Sequence, residues 1–210
     1  IILFGPPGSG KSTMVEMLRE KGVAFSLISM GQLLRDISKE DSDLGRKVKS
    51  TMEKGDLLDD FFVTELVKKA LREVDRTKPL ILDGYPRSMA QVNVIDELFV
   101  NEGIELPILV YIMISKEEAV RRLSSRRVCS VCRENFQVHD LVNEKECPKC
   151  GGELIQRDDD KPESIEKRFE LFEMQFELIK HYFNSKGRYH EIDGVKEKKE
   201  RLEDLVKIII

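Results

Sequence analysis

Short apolar runs alternate with long amphipathic stretches along this chain. The runs are IILF (1–4), AFSLIS (24–29), PLILD (79–83), PILVYIMI (107–114) and YHEID (189–193), and each reads as a strand. Between them, KSTMVEMLREKG (11–22) and FFVTELVKKALREV (61–74) place apolar residues at helical spacing. Strands separated by helix-length segments predict parallel pairing and an α/β layer fold. A further amphipathic helix, IEKRFELFEMQFELIKHYFN (165–184), carries Ile165, Phe169, Phe172, Phe176, Ile179 and Phe183 on one face. Arg168 lies three residues after Ile165 and four before Phe172, on or beside that buried seam. A charge there needs a partner, and a phosphate would serve.

Two regions break this rhythm. Residues 30–58 are mostly polar helix between the second strand and GDLLDD. Residues 125–160 contain every cysteine and end in RDDDKP (157–162). Both read as insertions mounted on a core and as natural moving parts. There is no internal repeat and no low-complexity segment.

Composition narrows the class. The 210 residues are 40% hydrophobic and 35% charged, an ordinary soluble globule of one domain with insertions. A net charge of −4 exerts no general pull on nucleic acid or anionic membrane. The longest apolar run, LPILVYIMI (106–114), is far short of the roughly 20 residues of a membrane span. The first residues read as a strand feeding a loop, not as a charged-then-apolar leader. Cysteines in two tight pairs suit a reducing compartment, so a cytoplasmic location is expected.

The stretch Gly5-Pro-Pro-Gly-Ser-Gly-Lys11-Ser12 fits G-x-x-x-x-G-K-[ST], with a predicted strand before it and a helix after. Its glycines turn successive N–H groups toward a phosphate at a helix N-terminus. Lys11 supplies a mobile charge for the β- and γ-phosphates, and the Ser12 hydroxyl occupies the position that faces Mg²⁺. A Gly-rich turn that binds nothing is the bland alternative. It explains neither the lysine nor the strand–helix context.

LILDGYPRSMAQ (80–91) suggests a second phosphate site. Asp83 at a strand end suits a carboxylate that helps hold Mg²⁺, although a turn or capping aspartate is common there. Arg87, on a turn made by Gly84 and Pro86, can be held rigidly for a planar anion. An ATPase using water as its nucleophile has no obvious need for such an arginine. A kinase does, because its acceptor must lie in line with the γ-phosphate.

Taken together, GPPGSGKST, SMGQLLR (29–35), GDLL (55–58), LDGYPRSMAQ (82–91), RRLSSRR (121–127), RDDD (157–160) and DGVK (193–196) resemble the adenylate kinases in order and spacing. The resemblance covers nearly the whole chain. It implies a P-loop NTPase core with a five-stranded parallel sheet over 1–28, 59–124 and 161–210. It also implies a nucleoside-monophosphate-binding helical insertion at 29–58 and a lid at 125–160. The implied reaction is MgATP + AMP ⇌ 2 ADP, with ATP, AMP and ADP as ligands. Nothing demands more than a monomer.

Carried over by position, the resemblance implies an ATP site of Gly8, Ser9, Gly10, Lys11, Ser12, Thr13, Arg122, Arg126 and Lys196. Arg122 would cover the adenine and face phosphate, and Gly194 to Lys196 would shape the far side of the adenine site through their backbone. An AMP site of Met30, Arg35, Leu58, Val63, Gly84, Arg87, Gln91, Arg157 and Arg168 is implied likewise. There Arg35 and Arg87 would grip the phosphate and Gln91 the base, with Leu58 and Val63 lining the pocket. Arg126, Arg157 and Arg168, with Lys11 and Arg87, would form the catalytic set. Ser12 and Asp83 would attend Mg²⁺. Arg121 and Arg127 are better read as surface ion pairs. One departure stands out: adenylate kinases usually show Ser-Thr-Gly-Asp where this chain has Ser29-Met30-Gly31-Gln32. Met30 removes a hydroxyl from beside the AMP base, and Gln32 removes a carboxylate.

Cys129-x₂-Cys132 and Cys147-x₂-Cys150, fourteen residues apart, have the spacing of a tetrahedral Cys₄ zinc site. Four thiolates fill zinc's coordination, so the metal would be structural. The segment has few large apolar side chains and needs such a staple to fold. Disulfides or free thiols are the alternatives, and His139 reads as a surface residue. The rival of a zinc-ribbon NTPase on nucleic acid meets a net acidic ribbon, six Lys/Arg against eight Asp/Glu over 125–160. The remaining rivals are a kinase for another monophosphate and a non-catalytic nucleotide sensor.

Overall fold

The computed structural model describes residues 1–209. Five strands, β1 (Ile2–Phe4), β2 (Ser26–Ser29), β3 (Leu80–Asp83), β4 (Leu109–Met113) and, near the end of the chain, β8 (Tyr189–Asp193), form one sheet. Its order is β2-β3-β1-β4-β8 and every pairing is parallel. The apolar runs are continuous because helices cover both faces. This is the parallel α/β core that the pattern predicts, with the five strands that the family resemblance implies.

On one side lie α1 (Lys11–Glu20) and α8 (Lys198–Ile209), closing a cluster that includes Leu3, Met14, Leu18, Val110 and Leu205. On the other, α4 (Asp60–Glu73), α5 (Met89–Asn101) and α7 (Pro162–Ser185) bury the larger cluster. The face expected on α7 packs as its spacing demands. Phe172 and Phe176 meet Phe4 and Tyr111 of the sheet, with ring centroids 5.3 Å apart for Phe4–Phe172 and 4.6 Å for Tyr111–Phe176. Helix α6 (Lys116–Ser124) follows β4.

Residues 30–58 form two helices, α2 (Met30–Ile37) and α3 (Asp43–Glu53). Ser42 breaks the run by capping α3, accepting from the Gly45 N–H at 2.9 Å. After α6 the chain builds a small antiparallel sheet of β5 (Arg126–Cys129), β6 (Asn135–Gln137) and β7 (Leu154–Ile155) in the order β6-β5-β7. Its interior is little more than Cys129, Cys147 and Leu154, with Phe136 and Leu141 against them. No described helix is long and apolar enough to cross a membrane.

Candidate active site

The strand order reverses around β1, and there the carboxyl ends of β1 and β3 open into a cavity of about 830 Å³. The loop from Gly5 to Gly10 leaves β1 and enters α1. Gly10 has φ +95°, so only glycine fits comfortably at the turn that aims the helix N-terminus into the cavity. Gly8, Gly10, Lys11, Ser12 and Thr13 line the cavity. Ser9 does not; it is fully buried, and its hydroxyl accepts from Lys11.

The Lys11 ammonium folds back on the loop, donating to Gly5 O at 2.8 Å, Pro6 O at 3.0 Å and Ser9 Oγ at 3.1 Å. All three of its donors are therefore taken up by the loop. Burial pulls its pKa down to about 8, with Asp83 opposing and Arg87, Arg168 and Arg126 adding to the fall. Asp83, the last residue of β3, is buried and receives the Ser29 hydroxyl at 3.4 Å.

Lys11 shares the cavity with six arginines: Arg35, Arg87, Arg122, Arg126, Arg157 and Arg168. Three of them are held by two aspartates in a 3-10 turn just before α7. Arg126 makes a two-pronged contact with Asp160, and Arg157 another with Asp159 at 2.8 and 2.6 Å. Arg168 donates to the Asp159 carbonyl at 2.8 Å and lies 3.1 Å from its carboxylate. The partner that Arg168 required is thus a carboxylate in this structure. Burial raises the Asp159 pKa, but Arg157, Arg168 and Arg126 outweigh it and hold the carboxyl at about 2. Burial lowers Arg168 to about 10 against Asp159, so it remains charged at neutral pH. The RDDD stretch in sequence assigns no task to Asp159 or Asp160. Three acids in a row gave no sign of which two turn inward.

Met30, Arg35, Leu58, Val63, Gly84, Arg87 and Gln91 line the same cavity. Met30 is only 1% exposed and belongs to the core as much as to the cavity. Arg35 is lowered to about 10, by burial first and then by Arg157. The walls around Arg87 lower its pKa too, against Asp83 and Asp159. Gln91 is buried and clamped at both ends of its amide. Its Oε1 accepts from the Arg87 N–H at 2.7 Å, and its Nε2 donates to Asp60 Oδ1 at 2.7 Å. Asp60 also receives the Ser88 hydroxyl at 2.8 Å. A first-turn aspartate of α4 looks like a helix-dipole partner in sequence, so this task was invisible.

Arg122 donates from Nε to Glu118 at 2.6 Å and from Nη2 to the Gly194 carbonyl at 2.9 Å. The Lys196 side chain is not brought to the cavity, because its ammonium pairs with Asp204 at 2.8 Å. Lys198, at the start of α8, lines the cavity in its stead and faces Asp140, in the 3-10 turn after β6, at 3.8 Å. Arg121 pairs at the surface with Glu118, Arg127 donates to the Arg126 carbonyl, and His139 is exposed.

The four cysteine sulfurs lie within 4.8 Å of one another. A tetrahedral zinc with bonds of about 2.3 Å requires sulfurs about 3.8 Å apart. Cys129 and Cys150 are 3.5 Å apart, Cys132 and Cys147 3.7 Å. Backbone N–H groups of Val131 and Cys132 both point at the Cys129 sulfur at 3.4 Å, as a thiolate ligand requires. These four residues can hold one metal ion.

The family model of adenylate kinase matches residues 3–188. The adenylate kinase of Pyrococcus abyssi is 40% identical over 197 residues, 92% of this chain and 88% of its own. That of Archaeoglobus fulgidus is 36% identical over 202 residues, 94% of this chain and 91% of its own. That of Thermoanaerobacter sp. is 36% identical over 212 aligned positions, 100% of this chain and 97% of its own. With a phosphate loop, an arginine-lined cavity and these matches along nearly its whole length, the chain belongs to the adenylate kinase family, the phosphotransferases that phosphorylate AMP.

Proposed function

We propose that ATP and AMP meet end to end in the 830 Å³ cavity, ATP on the phosphate loop and AMP against Gln91. The observation that carries this reading is the shared cavity itself: Lys11, Arg87, Arg126, Arg157 and Arg168 line the same cavity as the phosphate loop and Gln91. Gly8, Gly10, Lys11, Ser12 and Thr13 receive the triphosphate, with Ser9 supporting Lys11. Arg122 covers the adenine. Mg²⁺ enters with ATP, and Ser12 and Asp83 are its neighbours on the protein.

Arg35 and Arg87 grip the AMP phosphate, with Gly84 giving it room, while Leu58, Val63 and Met30 wall the base. Gln91 reads that base with what its clamps leave over, one N–H donor and one lone pair of its carbonyl oxygen. That pairing suits the adenine edge, which offers a ring acceptor beside an amino donor. Arg126, Arg157 and Arg168 gather the charge of the moving phosphoryl group. No strong general base is needed, since positioning and charge neutralisation carry most of such a transfer. Residues 29–58 and 125–160 close over the ligands and expel water, which strengthens each of these contacts. Zinc, held by Cys129, Cys132, Cys147 and Cys150 with no open position, supplies folding energy to the lid and no chemistry.

A coupled assay of ATP against AMP, CMP, UMP and GMP tests the reading. AMP is expected to give the highest kcat/KM. A pyrimidine nucleotide winning that comparison overturns the assignment of Gln91.

A further inference from the structure

Arg201, on the first turns of α8, has no role in the reading above. It sits four residues before Leu205, which is 0% exposed in the core between α1 and α8. Helical spacing therefore turns Arg201 inward, where an apolar residue would pack without penalty. Arg201 itself is 6% exposed, and its Nε has no hydrogen-bond partner among the described residues. Glu197 and Asp193 act on it only through space, while burial and Arg122 work against its charge.

What it faces is the phosphate loop. A Cβ built on Gly10 would lie 3.0 Å from Arg201 Nη1 and 4.0 Å from Arg122 Nη1. Two guanidinium groups thus converge behind one loop residue, and among the described residues only Arg122 has a carboxylate in contact, Glu118. A buried, unpaired cation is costly and persists only where something compensates it. Among the described residues Arg201 has no carboxylate in contact, only Glu197 and Asp193 at longer range, and the phosphates of a bound nucleotide would supply the missing partner.

We propose that Arg201 is a positioning residue for the donor nucleotide. It places a second positive charge directly behind Gly10, beside Arg122, which the donor's phosphates neutralise on binding. This rests on ATP lying along the phosphate loop. Arg201 need not touch the nucleotide, because in a site shielded from water a full charge one residue deep still favours an anion. The energy is held as instability of the free protein and released on binding.

The test is Arg201→Met, which keeps the stem and removes the charge. KM for ATP is expected to rise on the order of tenfold while KM for AMP and kcat stay within about twofold. The melting temperature without nucleotide should be unchanged or higher, and the stabilisation conferred by ATP smaller. Arg201→Lys should restore much of the ATP affinity. A KM for ATP within twofold of the parent, or a parallel rise for ATP and AMP, overturns the proposal. Should Arg201→Met not fold, Arg201→Lys and Arg201→Gln are ranked by the ratio of the two KM values, and an unchanged ratio in both overturns it equally. Lys11→Met serves as the control. If it raises KM for ATP and the Arg201 variants do not, this inference fails alone; if neither does, the placement of ATP fails as well.

Discussion

Asp160 grips Arg126 with both carboxylate oxygens, 2.7 Å from Nε and 2.6 Å from Nη2, and is itself 1% exposed. The same carboxylate lies 3.5 Å from Arg168. One buried aspartate therefore ties the first strand of the small sheet to the helix α7 of the core. Asp160→Asn keeps the shape and removes the charge, leaving two arginines facing each other. The expected result is a loss of about 3 kcal/mol in stability, because breaking a buried pair strands its partners. If Arg126 and Arg168 gather the phosphoryl charge as proposed, a fall in kcat of roughly 10- to 100-fold should accompany it. Urea unfolding and steady-state rates check both. A folded variant with parental kcat would show that the pair is scaffolding only.

Lys11 should write its pKa into the pH profile. In the free protein it is held at about 8, so it carries its charge below that pH and loses it above. As kcat/KM reports groups of the free enzyme, kcat/KM for ATP should decline as pH rises through about 8. Bound phosphate favours the ammonium, so kcat should hold to a higher pH. Lys11→Met should cut turnover by at least 100-fold without lowering the melting temperature, since its hydrogen bonds serve only the loop. Parental activity in the folded variant removes Lys11 from the chemistry.

The Asp60–Gln91 contact predicts an effect confined to the acceptor. Asp60→Ala frees the Gln91 amide to rotate and leaves it an unmatched N–H. KM for AMP is expected to rise about tenfold, with KM for ATP unaffected. Equal changes in both constants would point to a general disturbance of α4.

Met30 couples selectivity to stability. On the proposed placement of AMP, Met30→Thr puts a hydroxyl beside the base, and it removes volume from the core. Tighter AMP binding is expected together with a loss of about 2 kcal/mol, by analogy with other truncations of buried methionine. Initial rates with AMP and CMP, alongside a melting curve, separate the two effects. Unchanged KM for AMP would place the base away from residue 30.

Removing zinc should weaken the lid and spare the chemistry. The purified protein is expected to contain one zinc per chain. Chelation, or Cys129→Ser with Cys132→Ser, should lower the melting temperature and expose residues 125–160 to protease, because the apolar cluster there is too small to hold alone. At low temperature kcat should fall only modestly. A folded, metal-free lid that is catalytically dead at low temperature would give the metal a different task.

The strand runs, the phosphate loop, the buried face of α7 and the paired cysteines could all be read along the chain, because each rests on spacing over a few residues. The loop places its N–H groups by local backbone geometry, and the aromatic face of α7 follows from 3.6 residues per turn. Contacts between distant segments could not be read in that way. Gln91 and Asp60 are 31 residues apart, Arg126 and Asp160 are 34 apart, and nothing local distinguishes Asp160 from the exposed Asp158 two places before it. Lys196 and Lys198 differ by two positions, yet the turn into α8 sends one to Asp204 and the other to the cavity. Arg201 has the composition of a surface residue, and only the packing of α8 on α1 carries it behind Gly10. Which charges meet is decided by how elements dock, and docking is driven by apolar burial that does not depend on where the charges fall.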